Sequence, residues 1–409
     1  MKTDTLVYLI DEISINRFTT TTGFMLKKIS ENFDKVFILN FVSFKNKFNF
    51  FINLNKNTVV ENNDKSQFKL PKNVKLININ TDYELSQFCK NKNVIGIDLL
   101  GRRMADLPIH FLLAKNKIKL IQITNIGNIQ WGLKINPKYF LKGFKYYFDK
   151  KISKIIYYIF GYLCLVPRVE IRFISNSSIL ESINKNILKK LFYKFRLLNT
   201  KKIINVNSIS YDQFEKNKKK NCEKYIVLLD HDISSPDDVY LGNPVKINEK
   251  AHFKELNIFL KNLSKTFKKK IVIALHPRDQ LSKKKKIFSN FKVVKYQTPE
   301  YINKAFLVVF FESSAIINAI LLKKKIISIT SNRLSKNMED GSLRYQRNVG
   351  IIHLNIQSSI NFEKKNLLQK LEKAKYKYKN FIEKYIQPDK NNIGHLKIIK
   401  MIKKEFFKK

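Results

Sequence analysis

Short apolar runs alternate with helix-period stretches along most of the 409-residue chain. Residues 6–10, 36–40, 74–79, 94–99 and 118–124 are brief, rich in β-branched side chains and bounded by polar residues, which predicts strands. Residues 22–32 and 106–115 carry helical spacing. Strands separated by helices predict βαβ units and a parallel sheet. Residues 53–72 are polar and rich in Asn and Lys, an exposed excursion; residues 137–200 read as mostly helical, and 202–207 returns to strand. A second alternation then begins. Strands are expected at 225–229, 271–275, 292–295, 306–311 and 325–329, with helices at 249–267, 298–304 and 313–322 between them. From residue 363 the pattern is helical to the end, broken near Pro388. The expected organisation is an α/β domain over 1–210, a second over 211–362 and terminal helices over 363–409.

Composition changes that picture little. At 44% hydrophobic and 12% aromatic the chain can bury a large core and is not disordered. Its formal charge of +45 would ordinarily point to nucleic acid or an anionic membrane, yet only ten of 78 basic residues are Arg. Proteins that read bases and clamp phosphates lean on the bidentate guanidinium, so no nucleic-acid partner is expected. Three scattered cysteines, Cys89, Cys164 and Cys222, support neither a disulfide framework nor a zinc site, which suits a reducing cytoplasm. No uncharged apolar window of about 18 residues exists, so no spanning helix is expected.

The chemistry concentrates at two strand ends in the second half. Ile271-Val-Ile-Ala-Leu ends in His276-Pro277-Arg278, and Leu307-Val-Val-Phe-Phe ends in Glu312-Ser313-Ser314. In an open parallel sheet the carboxyl ends of strands are where ligands sit. Pro277 removes a backbone donor and fixes the turn, holding the His276 imidazole at the edge, where its N–H could bond a phosphate oxygen with Arg278 adding charge. Ser313 and Ser314 at the start of a helix offer hydroxyls and free amides to an anion. Each motif alone also fits a structural role, a His-Pro that ends a strand or a Ser that caps a helix. Their order on successive βα units favours phosphate binding.

A strand ending in His-Pro, then a strand ending in Ser-Ser before a helix, resembles the donor-binding half of bacterial GT-B sialyltransferases and polysialyltransferases. Capsule Kdo transferases and CDP-glycerol transferases show related arrangements. The resemblance covers about residues 225–335. It implies a GT-B fold of two Rossmann-like domains facing a central cleft, a nucleotide-activated sugar donor held by His276, Ser313 and Ser314, and no bound cofactor or metal. One departure matters: the acidic pair followed by Gly that supplies the sialyltransferase base is missing from the first half. The sole Glu339-Asp340-Gly341 lies after the donor motifs. Substitutes are Asp11 and Glu12 after the first strand and Asp98 after the fourth, each of which could equally cap a turn.

Other features extend the candidate site. Asp230-His231-Asp232 opens the second domain, with Asp230 expected beside the nucleotide; its Ser-Ser-Pro continuation favours a structured loop over a metal site. Arg17 and Thr19, in a Thr-rich loop after the first strand, are acceptor-side candidates. No GxGxxG, Walker lysine loop or Gly-x-Ser-x-Gly elbow is present, which disfavours dehydrogenases, P-loop NTPases and α/β-hydrolases. Residues 134–166 interleave Lys with Tyr and Phe, which suits either a membrane headgroup interface or a helix hairpin packed on the first domain. The reading is a glycosyltransferase extending a capsule or lipopolysaccharide glycan or glycolipid at the inner face of the cytoplasmic membrane, its donor a candidate CMP-activated nonulosonate. The alternatives are a GT-B epimerase or CDP-polyol phosphotransferase, or a basic protein that binds nucleic acid or membrane.

Overall fold

The computed structural model describes residues 3–11, 15–47, 69–102, 104–124, 152–153, 155–175, 200–209, 211–212, 223–231, 248–276, 279–334, 336–358, 363–387 and 392–407. The chain divides into two compact units: Met1–Gly127, Tyr147–Gln213 and Tyr385–Lys409 form unit 1, and Asn128–Tyr146 with Phe214–Lys384 form unit 2.

Unit 1 is built on a seven-stranded, all-parallel sheet of β1 (Thr3–Ile10), β2 (Val36–Asn40), β3 (Val74–Asn78), β4 (Lys92–Asp98), β5 (Lys119–Thr124), β6 (Val169–Ile174) and β7 (Thr200–Asn205). Their order across the sheet is β3-β2-β1-β4-β5-β6-β7, so the direction of winding reverses between β1 and β4. Helices α1 (Ile15–Ser30), α2 (Val42–Asn46), α3 (Asp82–Cys89) and α4 (Leu107–Lys115) connect the early strands. Apolar side chains fill both faces. Leu6, Tyr8 and Ile10 of β1 face a layer containing Met25 and Leu26 of α1, while Val7 and Leu9 face Ile109 and Leu113 of α4. A strand buried on both sides has no room for polar alternation, and Leu6–Ile10 accordingly reads as a continuous apolar run.

Within residues 137–200, expected to be mostly helical, the described residues hold a helix over 155–162 and then β6, whose Val169-Glu-Ile-Arg-Phe-Ile174 alternates inward and outward in register with β5 and β7. One expectation fails in this unit. The Thr-rich segment is no loop, since α1 begins at Ile15 and runs through it. Thr22 Oγ1 bonds back to the Phe18 carbonyl at 2.6 Å, which lets a β-branched residue sit inside a helix with its hydroxyl satisfied.

Unit 2 repeats the architecture with six parallel strands, β8 (Tyr225–Leu229), β9 (Lys270–Ala274), β10 (Lys292–Val294), β11 (Ala305–Phe310), β12 (Lys325–Thr330) and β13 (Ile352–Asn355). The order is β10-β9-β8-β11-β12-β13, and the reversal falls between β8 and β11. Around it lie α5 (Glu249–Phe267), α6 (Leu281–Ile287), α7 (Thr298–Asn303), α8 (Ile316–Leu321), α9 (Lys336–Val349), α10 (Lys364–Lys375) and α11 (Tyr378–Tyr385). Helix α5 presents Phe253, Leu256, Phe259, Leu260, Leu263 and Phe267 to the sheet at helical spacing. Asn248 caps its first turn by accepting from Ala251 N at 3.1 Å. Helix α8 starts three residues later than expected, because Ser313 to Ala315 form turns ahead of it.

The last helix, α12 (Gly394–Phe406), belongs to unit 1. Its Ile398, Ile399 and Ile402 join the layer of α1. Its N-terminus is held by one carboxylate: Asp212 accepts from Gly394 N at 3.1 Å, from His395 N at 2.6 Å and from His395 Nδ1 at 2.9 Å. A negative charge there satisfies orphan amides and complements the helix dipole. Gly394 is required by close approach, since a Cβ would stand 2.4 Å from the Asn207 carbonyl oxygen. Among the described residues, no helix is long and apolar enough to cross a membrane.

Candidate functional site

Adjacent strands β9, β8 and β11 end side by side in unit 2, at the reversal where open α/β sheets bind ligands. This brings together residues far apart in sequence. His276 follows β9, His231 follows β8, and Glu312 with Ser313 follows β11. The two imidazoles lie 6.5 Å apart, centroid to centroid. His231 Nδ1 is 2.9 Å from the Glu312 carbonyl oxygen. A carbonyl only accepts, so Nδ1 carries a proton and donates it to that bond. His231 therefore links the two strands that flank the reversal, beside the half-buried His276.

The His276 loop is anchored from beneath. Its carbonyl accepts from Asp279 N at 3.0 Å. Lys284 of α6 reaches Asp230 Oδ2 at 2.6 Å and Asp279 Oδ1 at 3.5 Å, all three side chains being buried. Its ammonium also sits 4.7 Å from the Phe253 ring centroid. Asp230, expected beside the nucleotide, is thus turned inward as an anchor for the loop. Two buried carboxylates sharing one ammonium are a strong constraint, because losing the cation would cost about 3–5 kcal/mol.

Ser314 is exposed and Ser313 half-buried. The Ser313 hydroxyl accepts from Ala315 N at 3.3 Å, while Ile316 N and Ile317 N bond the carbonyls of Ser313 and Ser314 at 3.2 and 3.3 Å. These local bonds compete with regular helix and explain the late start of α8. Behind them Ser342 of α9 donates to the Phe311 carbonyl at 2.6 Å, fixing the end of β11. Pro277 and Arg278 lie outside the described residues.

In unit 1 the acidic candidates flank the other reversal. Asp11 directly follows β1 and Asp98 ends β4. Their environments differ. Asp98 is buried, accepting from Leu100 N at 3.1 Å and Gln122 Nε2 at 2.8 Å, with Arg102 Nη2 at 3.4 Å and His110 Nε2 at 4.0 Å. Burial pushes its pKa up, but His110, Arg102 and Gln122 outweigh that and hold it at about 2. Asp11 is half-buried and meets Lys45 at 2.5 Å, which also meets the buried Asp106 at 2.5 Å. Here desolvation prevails over the Lys45 attraction, and the Asp11 carboxyl is raised. One carboxylate is fixed as a buried anion; the other is shifted toward its neutral form.

Lys45, Asp106, His110, Gln122 and Lys284 escaped sequence reasoning, and Tyr157 stood in it only as one aromatic of the 134–166 stretch. Only Asp106 carried a signal, an acid ahead of Leu107-Pro108 at a helix start. His110 Nδ1 lies 3.0 Å from the Asp106 carbonyl and 3.0 Å from the Tyr157 hydroxyl, contacts that depend on a helix docking from 47 residues away. Of the acceptor-side candidates, Thr19 is buried within α1; Arg17 lies in α1 with its side chain outside the described residues, as does Glu12 entirely.

No protein-family model and no curated protein matches the chain. Solved structures do. UGT2 of Phytolacca americana, complexed with UDP-2fluoro-glucose and pterostilbene, aligns with a TM-score of 0.55 at 9% identity over 99% of this chain and 100% of that one. The wall teichoic acid polymerase TagF aligns at 0.51, with 12% identity over 98% and 89%. A putative UDP-N-acetylglucosamine 2-epimerase from Listeria monocytogenes aligns at 0.50, with 11% identity over 98% and 97%. At such identities the likeness is one of fold.

Proposed function

We propose, from the premise that this chain has the GT-B fold of two Rossmann-like domains, that it is a glycosyltransferase moving a sugar from a nucleotide donor to a surface-glycan or glycolipid acceptor. The observation that carries the reading is the meeting of His276, His231 and the Glu312-Ser313 turn at the strand-order reversal of unit 2. In this reading His276 donates to the donor phosphate, and the Ser313 and Ser314 segment supplies further hydrogen bonds to it. Asp11 takes the acceptor hydroxyl proton as that oxygen bonds the anomeric carbon, and the electron pair of the breaking C–O bond leaves with the nucleotide phosphate. The His-Pro and Ser-Ser motifs favour a CMP-activated nonulosonate, as in the sialyltransferases they resemble. The TagF likeness makes a CDP-linked polyol the second donor class to try, and the epimerase likeness a UDP-sugar the third.

Isothermal titration with CMP, CDP and UDP tests this directly. One nucleotide should bind, and His276→Ala should weaken it about tenfold or more, the scale of a lost charge-assisted hydrogen bond. Binding of none, or binding untouched by that substitution, sinks the reading. Mass spectrometry of products from a nucleotide-sugar panel then names the donor; turnover of a UDP-sugar without acceptor would identify an epimerase.

A further inference from the structure

Six of the large hydrophobic side chains exposed among the described residues lie on or beside one helix of unit 1. Ile155, Ile159, Tyr162 and Leu163 recur at helical spacing on the outward face of the helix over 155–162 and the turn after it; the exposed Leu165 follows, its N–H bonded to the Phe160 carbonyl at 2.8 Å, and Phe111 of α4 meets the Phe160 ring at 5.3 Å. Tyr162 is 81% exposed and Ile155 and Leu163 each 56%. The inward face of the same helix is already used, with Tyr157 packed on Leu107 and Val166 and with Ile156 and Phe160 beside them. A surface helix of a water-facing protein is polar on its outer side. This one is apolar on both.

Against this patch lies a pocket of about 390 Å³ whose lining includes Tyr162, Lys117, Lys119 and Arg168. All three cations are exposed, and among the described residues none has an ion-pair partner. Glu170, the one acid of that lining, is engaged by Lys201 at 2.6 Å. Aliphatic and tyrosine side chains bordered by unpaired cations match the boundary between acyl chains and anionic headgroups. A second copy of this chain would bring like charge to the same place, since each copy carries +45.

We propose that this face docks the protein onto an anionic phospholipid bilayer, with Ile155, Ile159 and Leu163 entering the headgroup boundary and Lys117, Lys119 and Arg168 holding lipid phosphates. The protein lies on the membrane without crossing it. This goes beyond the transferase reading and needs no donor or acceptor, so the two can fail separately.

Vesicle co-sedimentation of the full chain tests it, using phosphatidylcholine with and without phosphatidylglycerol. Binding to the anionic vesicles is expected, with little to the neutral ones and a steep loss as salt rises. K117E/R168E should weaken it about a hundredfold or more, each reversal removing an attraction and adding a repulsion. I159E/L163E should abolish it while the thermal melting midpoint stays unchanged, because these side chains are exposed. As a second readout, Leu163→Trp should blue-shift its added fluorescence on anionic vesicles. Absence of binding, equal binding by the charge-reversed or Glu variants, or capture only by an acidic protein would overturn the proposal.

Discussion

Asp11 and Asp98 show how two identical side chains at neighbouring strand ends acquire opposite chemistry. Asp98 is held at about 2, below the ordinary aspartate value near 3.9. Its ionised form therefore stabilises the fold above about pH 4, and that contribution of about 2 kcal/mol disappears as pH falls toward 2. Chemical denaturation of wild type and Asp98→Asn should show a stability gap at pH 7 that narrows by roughly this amount at pH 2. Asp11 is raised, so in the proposed role activity should fall as pH drops through a pKa above the usual carboxylate value. Lys45→Met should move that acidic limb higher still, and Asp11→Asn should cut turnover by about 10² or more with nucleotide affinity intact. Both acids were legible as strand-end polar residues. What separates them was not, because Gln122, His110 and Lys45 arrive through parallel register and helix docking, which no local pattern encodes.

At the scale of elements, the strands of both sheets were legible wherever burial on two faces produced continuous apolar runs. Strand β6 was missed because its alternating Val169-Glu-Ile-Arg-Phe-Ile174 lies within a long stretch whose spacing reads as helix. Helix α1 was cut short because β-branched threonines argue against helix until their hydroxyls find carbonyls within it. The clearest dependence of one element on one residue is that of α12 on Asp212. Asp212→Ala leaves the amides of Gly394 and His395 without their acceptor, and unfolding should show a loss of about 1–3 kcal/mol. A melting midpoint unchanged from wild type would mean that the apolar face of α12 suffices.

For the whole molecule, the two-fold repetition of a parallel α/β sheet was readable from strand and helix periods, and the two reversals put every described strand-end candidate at a carboxyl edge. Which chain segments build each unit was not readable, since it rests on where the terminal helices pack. Truncation after Lys384 should expose the layer containing Ile29 and Phe18 and render unit 1 protease-sensitive, while unit 2 keeps its strands and any nucleotide affinity. Limited proteolysis with and without nucleotide reads both effects.

The seat of α12 also sets a timetable. Unit 1 is assembled from segments that lie before and after residues 214–384 of unit 2, so its core stays unsealed while those residues are synthesised. At roughly 5–20 residues per second that wait is on the order of ten to forty seconds. During it the α1 layer, with its open apolar face, should be a substrate for chaperones. Ribosome-stalled chains ending before Gly394 should hold a trigger-type holdase that the released chain does not.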